Sequence, residues 1–100
     1  MIEKLYKFNT EDVNSVERIV NTNGLRINHL GLIKGEIVTP HVTEEAAHMI
    51  ITHGILTLKL DDQDPKEFPA GSIIEIPAKT LLGISNFGST TMHLFVIKKD

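Results

Sequence analysis

The sequence predicts an all-β domain, with about nine short strands folded into an antiparallel sandwich or barrel. Three observations carry this. Ile55 to Leu60 alternates, with Leu56, Leu58 and Leu60 on one face and Thr57 and Lys59 on the other. Turn residues recur at short, regular intervals, headed by Asn23-Gly24, a strong hairpin signal because both residues accept positive φ. Several segments are apolar on both faces, as in Ile73-Ile74 and Leu94 to Ile97, which calls for cover by a second sheet or a second subunit.

In chain order, Ile2 to Phe8 reads as an N-terminal strand that can add to a sheet edge or be exchanged. Asn9 to Val13 suits one helical turn, capped by Asn9 or Thr10, with Glu11 and Asp12 in its first turn. Val16 to Val20 is a β-prone run, and Leu25 to Ile33 is its return strand. Lys34-Gly35 turns the chain into Glu36 to Val38, whose pairing Pro40 limits. Ala46 to Thr52 is the next strand and ends at His53-Gly54. After Ile55 to Leu60, Asp61 to Pro65 forms a polar turn. Phe68-Pro69-Ala70-Gly71 leads into Ser72 to Ile76, which Pro77 closes. Thr80 to Asn86 follows, then a turn at Gly88 to Thr90, then the last strand, Met92 to Ile97.

Composition narrows the function. The chain has no cysteine, so disulfides, thiolate catalysis and cysteine-bound metal are excluded. A net charge of -3 with scattered lysines and arginines gives no basic face for a nucleic acid. No apolar stretch is long enough to span a membrane, and Glu3, Lys4 and Lys7 interrupt the N-terminus where a secretory leader would be apolar. A cytoplasmic protein is the expectation.

Two spaced patterns add a family. Gly35, five residues, His41, a residue, Thr43, three residues, Ala47, six residues and Gly54 form the first. Gly71, five residues, Pro77, a residue, Lys79, two residues, Leu82, three residues and Asn86 form the second. In spacing these resemble the paired motifs of the cupin family, over roughly Leu25 to Ile97, with Gly54 at the hairpin turn the first motif implies. The resemblance implies a double-stranded antiparallel β-barrel, or jelly roll. It makes residues 1–100 a single domain, with N-terminal strands and a turn over 1–24 and the barrel core over 25–97.

The resemblance also implies a pocket in the barrel mouth. Metal-dependent cupins place two histidines and a glutamate of the first motif, and a histidine of the second, around a divalent ion. Here only His41 keeps a ligand, because Thr43, Ala47 and Leu82 stand at the other positions and Lys79 replaces a glycine. The expected site is therefore degenerate, with no metal and no other cofactor. Its expected lining is His41, Thr43, Ala47, Met49, Leu82, Ile84 and Asn86, mainly aliphatic with three polar points. An alternative keeps a divalent metal ion on His41 and His48, which needs His48 to face inward through a bulge or a looser motif spacing.

The other ionisable residues leave their readings open. His29 and His93 line the pocket and help rebuild a metal site, or they are hydrogen-bonded core histidines. His53 precedes a turn and is expected in solvent. Glu44-Glu45 is a carboxylate pair fit for acid–base work or a solvated loop. Glu75 faces solvent or is buried with a partner. Two functions follow. One is a metal-independent module that binds a small, largely apolar ligand or serves in assembly or sensing. The other is a metal-dependent dioxygenase, isomerase or decarboxylase. Under either, the doubly apolar strands favour a homodimer.

Overall fold

The computed structural model describes residues 2–99. Those residues form nine strands: β1 (Ser15–Thr22), β2 (Leu25–Leu32), β3 (His41–Thr43), β4 (Ala47–His53), β5 (Ile55–Leu60), β6 (Lys66–Pro69), β7 (Ile73–Ile76), β8 (Thr80–Ser85) and β9 (Met92–Lys99). They make a five-stranded sheet in the order β1-β2-β9-β4-β7 and a four-stranded sheet in the order β3-β8-β5-β6. Every strand pair is antiparallel. The fold is all-β, a double-stranded jelly-roll barrel.

Asn23 and Gly24 both lie at positive φ, 52° and 76°, and make the two-residue turn between β1 and β2. This turn matches the right-handed twist of the strands it joins. β1 pairs with β2 along its length, so Ser15–Thr22 forms an edge of the five-stranded sheet. The register shifts between Arg18 and Val20, where one extra residue bends the strand.

Four elements depart from the sequence reading. Asn9 to Val13 is not helical; the Asn9 side chain accepts from the Glu11 amide at 2.7 Å, an Asx turn that competes with helix formation. Ile2 to Phe8 is irregular, not a strand. Glu36 to Val38 makes only an isolated bridge, Ile37 to Ser85, while the short strands β3 and β6 carry the pairing instead. Finally, His53-Gly54 is not a hairpin turn. β4 and β5 lie in different sheets, so this corner carries the chain across the barrel.

The core lies between the sheets. Leu32, Met49, Ile51, Leu56, Leu58, Ile76, Met92 and Leu94 are buried there. Outside the five-stranded sheet, the chain supplies its own cover. Phe8 sets its ring edge-on to Phe95 at 4.7 Å and tilted against His29 at 5.1 Å. The segment before β1 thus covers part of the outer face of the sheet, at Phe95 on β9 and His29 on β2. Ile73, on the edge strand β7, keeps 68% of its surface open.

Candidate functional site

A cavity of about 220 Å³ opens inside the barrel at the end marked by Ala47 and Lys98. Inward positions of β2, β4, β8 and β9 build most of it: Leu30, Ala47, Met49, Leu82, Ile84 and Val96. The space exists because Ala47 is small where its neighbours are large. Further along the barrel, Ile51 on β4, Leu56 and Leu58 on β5, and Met92 and Leu94 on β9 fill the lumen. The wall is aliphatic, and its polar points are His41, Asn28 and Lys98.

Of the expected lining residues, His41, Ala47, Met49, Leu82 and Ile84 meet at this cavity. Thr43 and Asn86 do not. The Thr43 hydroxyl is buried and donates to the Glu45 carbonyl at 2.7 Å, closing the loop before β4. Asn86 is buried beyond the end of β8. Its amide donates to the carbonyls of Leu32 at 2.8 Å and Thr90 at 2.9 Å, and its oxygen accepts from the Gly88 amide at 3.0 Å. It clamps a turn. Lys79, at the position of the motif's glycine, takes a positive φ of 66°, which explains a glycine preference there.

Val16, Asn28, Leu30, Val38, Val96 and Lys98 also line the cavity and escaped the sequence reading. The signal was strand parity. Met92, Leu94 and Val96 share a face, and extending β9 beyond Ile97 brings Lys98 onto it.

The residues at the motif positions do not fit a divalent ion. His41 is directly opposite Leu82 across the β3–β8 ladder, Ala47 offers no donor, and the Thr43 hydroxyl is committed to a carbonyl. His48 cannot assist. It occupies the outer face of β4, its side chain 54% exposed and 3.5 Å from the exposed Glu75 carboxylate, while Ala47 and Met49 on either side are buried. No bulge interrupts β4 before Ile51, so alternation holds. Among the described residues no group of three or more histidine or carboxylate side chains converges as a metal site.

Glu44 and Glu45 are both paired, Glu44 with Lys79 and Glu45 with Arg26. The Arg26 guanidinium holds the Glu45 carboxyl below its usual pKa, with a smaller contribution from Lys98.

His29 and His93 sit on the outer face of the five-stranded sheet, away from the cavity and under the N-terminal segment. His29 Nδ1 donates to Glu17 Oε1 at 2.7 Å, and one proton lies between His29 Nε2 and His93 Nδ1, 3.0 Å apart. Both rings are buried and nearly parallel, 12° between their planes. The groups facing His93 are His29 on β2, His53 on β4, and Asp12 and the Glu11 main chain from the N-terminal segment; Glu17 on β1 reaches it through His29. Burial lowers the His93 pKa most, followed by His29 and then His53, against weaker opposing effects of Asp12 and Glu11. Glu17 is held below its usual value mainly by the Asn9 amide, with His29 assisting.

A depressed histidine pKa means that the unfolded chain binds the proton first. The His93 contribution is therefore complete above the unfolded value, about 6.5, and is lost as pH falls through the folded value. We expect the thermal midpoint to fall as pH is lowered from about 7.5 towards 5.5, the window of an ordinary histidine. His93→Leu should flatten that profile, and an unchanged slope in the variant would remove His93 as its source.

No model of a protein family matches the chain. A curated relative does: the uncharacterized protein MJ0764 of Methanocaldococcus jannaschii is 37% identical over 99 residues, which span 98% of this chain and 85% of the relative. The crystal structure of MJ0764, described as an RmlC-like cupin family protein with a double-stranded β-helix fold, superposes with a TM-score of 0.93, covering 99% of this chain and 92% of that one. A cupin superfamily protein from Desulfitobacterium hafniense shares the fold at 16% identity and a TM-score of 0.78, with 93% of this chain and 83% of its own covered. Strand order, motif punctuation and this relationship agree: the chain belongs to the RmlC-like cupin family.

Proposed function

We propose that this protein is a metal-independent cupin module whose barrel holds a small, largely apolar ligand. The observation that carries the reading is the 220 Å³ aliphatic cavity, open at one end of an otherwise filled barrel. It is smaller than the roughly 300–1,000 Å³ of sites for drug-sized ligands, so the ligand is correspondingly small. The donor set supports metal independence, since a single imidazole and a committed hydroxyl compete poorly with water for a divalent ion.

Titration with 1-hexanol tests the cavity. The methyl signals of Met49, Leu82, Ile84 and Val96 should shift together in carbon–proton correlation spectra, while those of Ile73 on the outer surface should not. Ala47→Leu projects into the same space and should abolish the shifts without unfolding the barrel. Metal analysis of protein purified without chelator supplies the counter-test. One equivalent of a divalent ion, lost in His41→Ala, would overturn metal independence.

A further inference from the structure

The inner face of the five-stranded sheet changes character along its length. On β9 it runs Met92, Leu94, Val96, Lys98, and on β2 it runs Leu32, Leu30, Asn28, Arg26. Beside them, Arg18 pairs with Asn28 across the β1–β2 ladder. The aliphatic cavity thus gives way at its mouth to a second concavity lined by Arg18, Asn21, Arg26, Asn28 and Lys98. Asn28 and Lys98 line both spaces, which makes them neighbours. None of the described residues lining the second space is acidic.

Lys98 distinguishes this arrangement from an ordinary charged rim. It is partly buried, it lines an apolar cavity, and its side chain makes no hydrogen bond or ion pair with any described residue. Glu45, the nearby carboxylate, is taken by Arg26. Beside low-dielectric walls an ammonium attracts an anion more strongly than it would in open water. The Asn28 side chain adds a neutral donor next to it.

We propose that the ligand of this cavity is a small aliphatic anion, with its hydrocarbon body among Met49, Leu82, Ile84 and Val96 and its anionic oxygens at Lys98 and Arg18. This rests on the cavity reading above and adds the chemical class. The head group is defined by charge and oxygen acceptors, a property that carboxylates and phosphate monoesters share.

Hexanoate, hexyl phosphate, hexylammonium and 1-hexanol test it against the same methyl signals. Hexanoate or hexyl phosphate should bind roughly tenfold or more tightly than 1-hexanol, the scale of a hydrogen bond to a charged group, and whichever binds better names the head group. Hexylammonium should bind more weakly than 1-hexanol. Lys98→Met should bring the anions down to the affinity of 1-hexanol and leave 1-hexanol unchanged, with Arg18→Gln acting in the same direction. Equal binding of anion and alcohol would overturn the anionic class while leaving the apolar cavity intact. Failure of every probe, 1-hexanol included, would overturn both.

Discussion

Replacing Asn86 with aspartate should destabilise the barrel by about 3–5 kcal/mol, although the substitution is nearly isosteric. Asn86 is buried, and its two amide hydrogens go to the Leu32 and Thr90 carbonyls. A carboxylate has no hydrogen to offer. It would place two lone pairs against two carbonyl oxygens and bury a charge with no cation beside it. For a 100-residue domain, each kcal/mol moves the thermal midpoint by about 4–8 °C, so a loss of about 12–40 °C is expected. Asn86→Ala should cost less, about 2–4 kcal/mol, because it orphans the partners without adding a charge. The aspartate variant should also recover as pH falls. A buried, unpaired carboxyl has its folded pKa raised above the unfolded value of about 3.9, so protonation favours the fold and restores one donor. A midpoint within a few degrees of the parent at neutral pH would show that water or rearrangement replaces the clamp.

Asn86 also shows how the sequence was legible and where it was not. Spacing from Gly71 and Pro77 placed the residue correctly in the chain and in the fold. Strand alternation with Leu82 and Ile84 then suggested a polar point in the pocket. Alternation ends with the strand, and β8 stops at Ser85. Beyond it the side chain serves the turn, because three backbone groups there need partners. The same limit applied at Glu36 to Val38, which is β-prone but bound by one isolated bridge. Conversely, Lys66–Pro69 pairs with β5 although it is charged and ends in proline, since an edge strand tolerates both.

The candidate site was readable in its apolar half. Ala47, Met49, Leu82 and Ile84 follow from strand period once the register is set, and His48 falls outside by the same rule. The cationic half was not readable, because ending the last strand at Ile97 left Lys98 in a tail. The histidines were harder still. His29 and His93 are 64 residues apart in sequence and touch only because β2 and β9 are neighbours, which no local pattern reveals. Phe8 lies against His29, and Asp12 and the Glu11 main chain face His93, all from a segment with no regular structure to predict.

Gly54→Ala should cost about 2–5 kcal/mol, and comparison with Gly71→Ala should show why. Both glycines lie at positive φ, 76° and 91°, so each substitution carries the left-handed penalty of about 1–2 kcal/mol. Their surroundings differ. A Cβ at Gly71 meets nothing within 4 Å, whereas one at Gly54 falls 2.9 Å from the Thr91 carbonyl oxygen and 3.0 Å from the Met92 Cα. Those atoms are main chain at the start of β9 and cannot rotate away, so relief requires separating the corner from β9, at about 1–3 kcal/mol more. Gly54 is the step by which the chain leaves the five-stranded sheet for the four-stranded one, so the strain acts on the contact between sheets. Urea unfolding of the two variants isolates this second cost as the difference in their midpoints at equal slope. Coincident midpoints would mean that only the backbone angle matters. Gly54 lies at the opposite end of β4 from Ala47, so Gly54→Ala should leave 1-hexanol binding at low temperature unaltered.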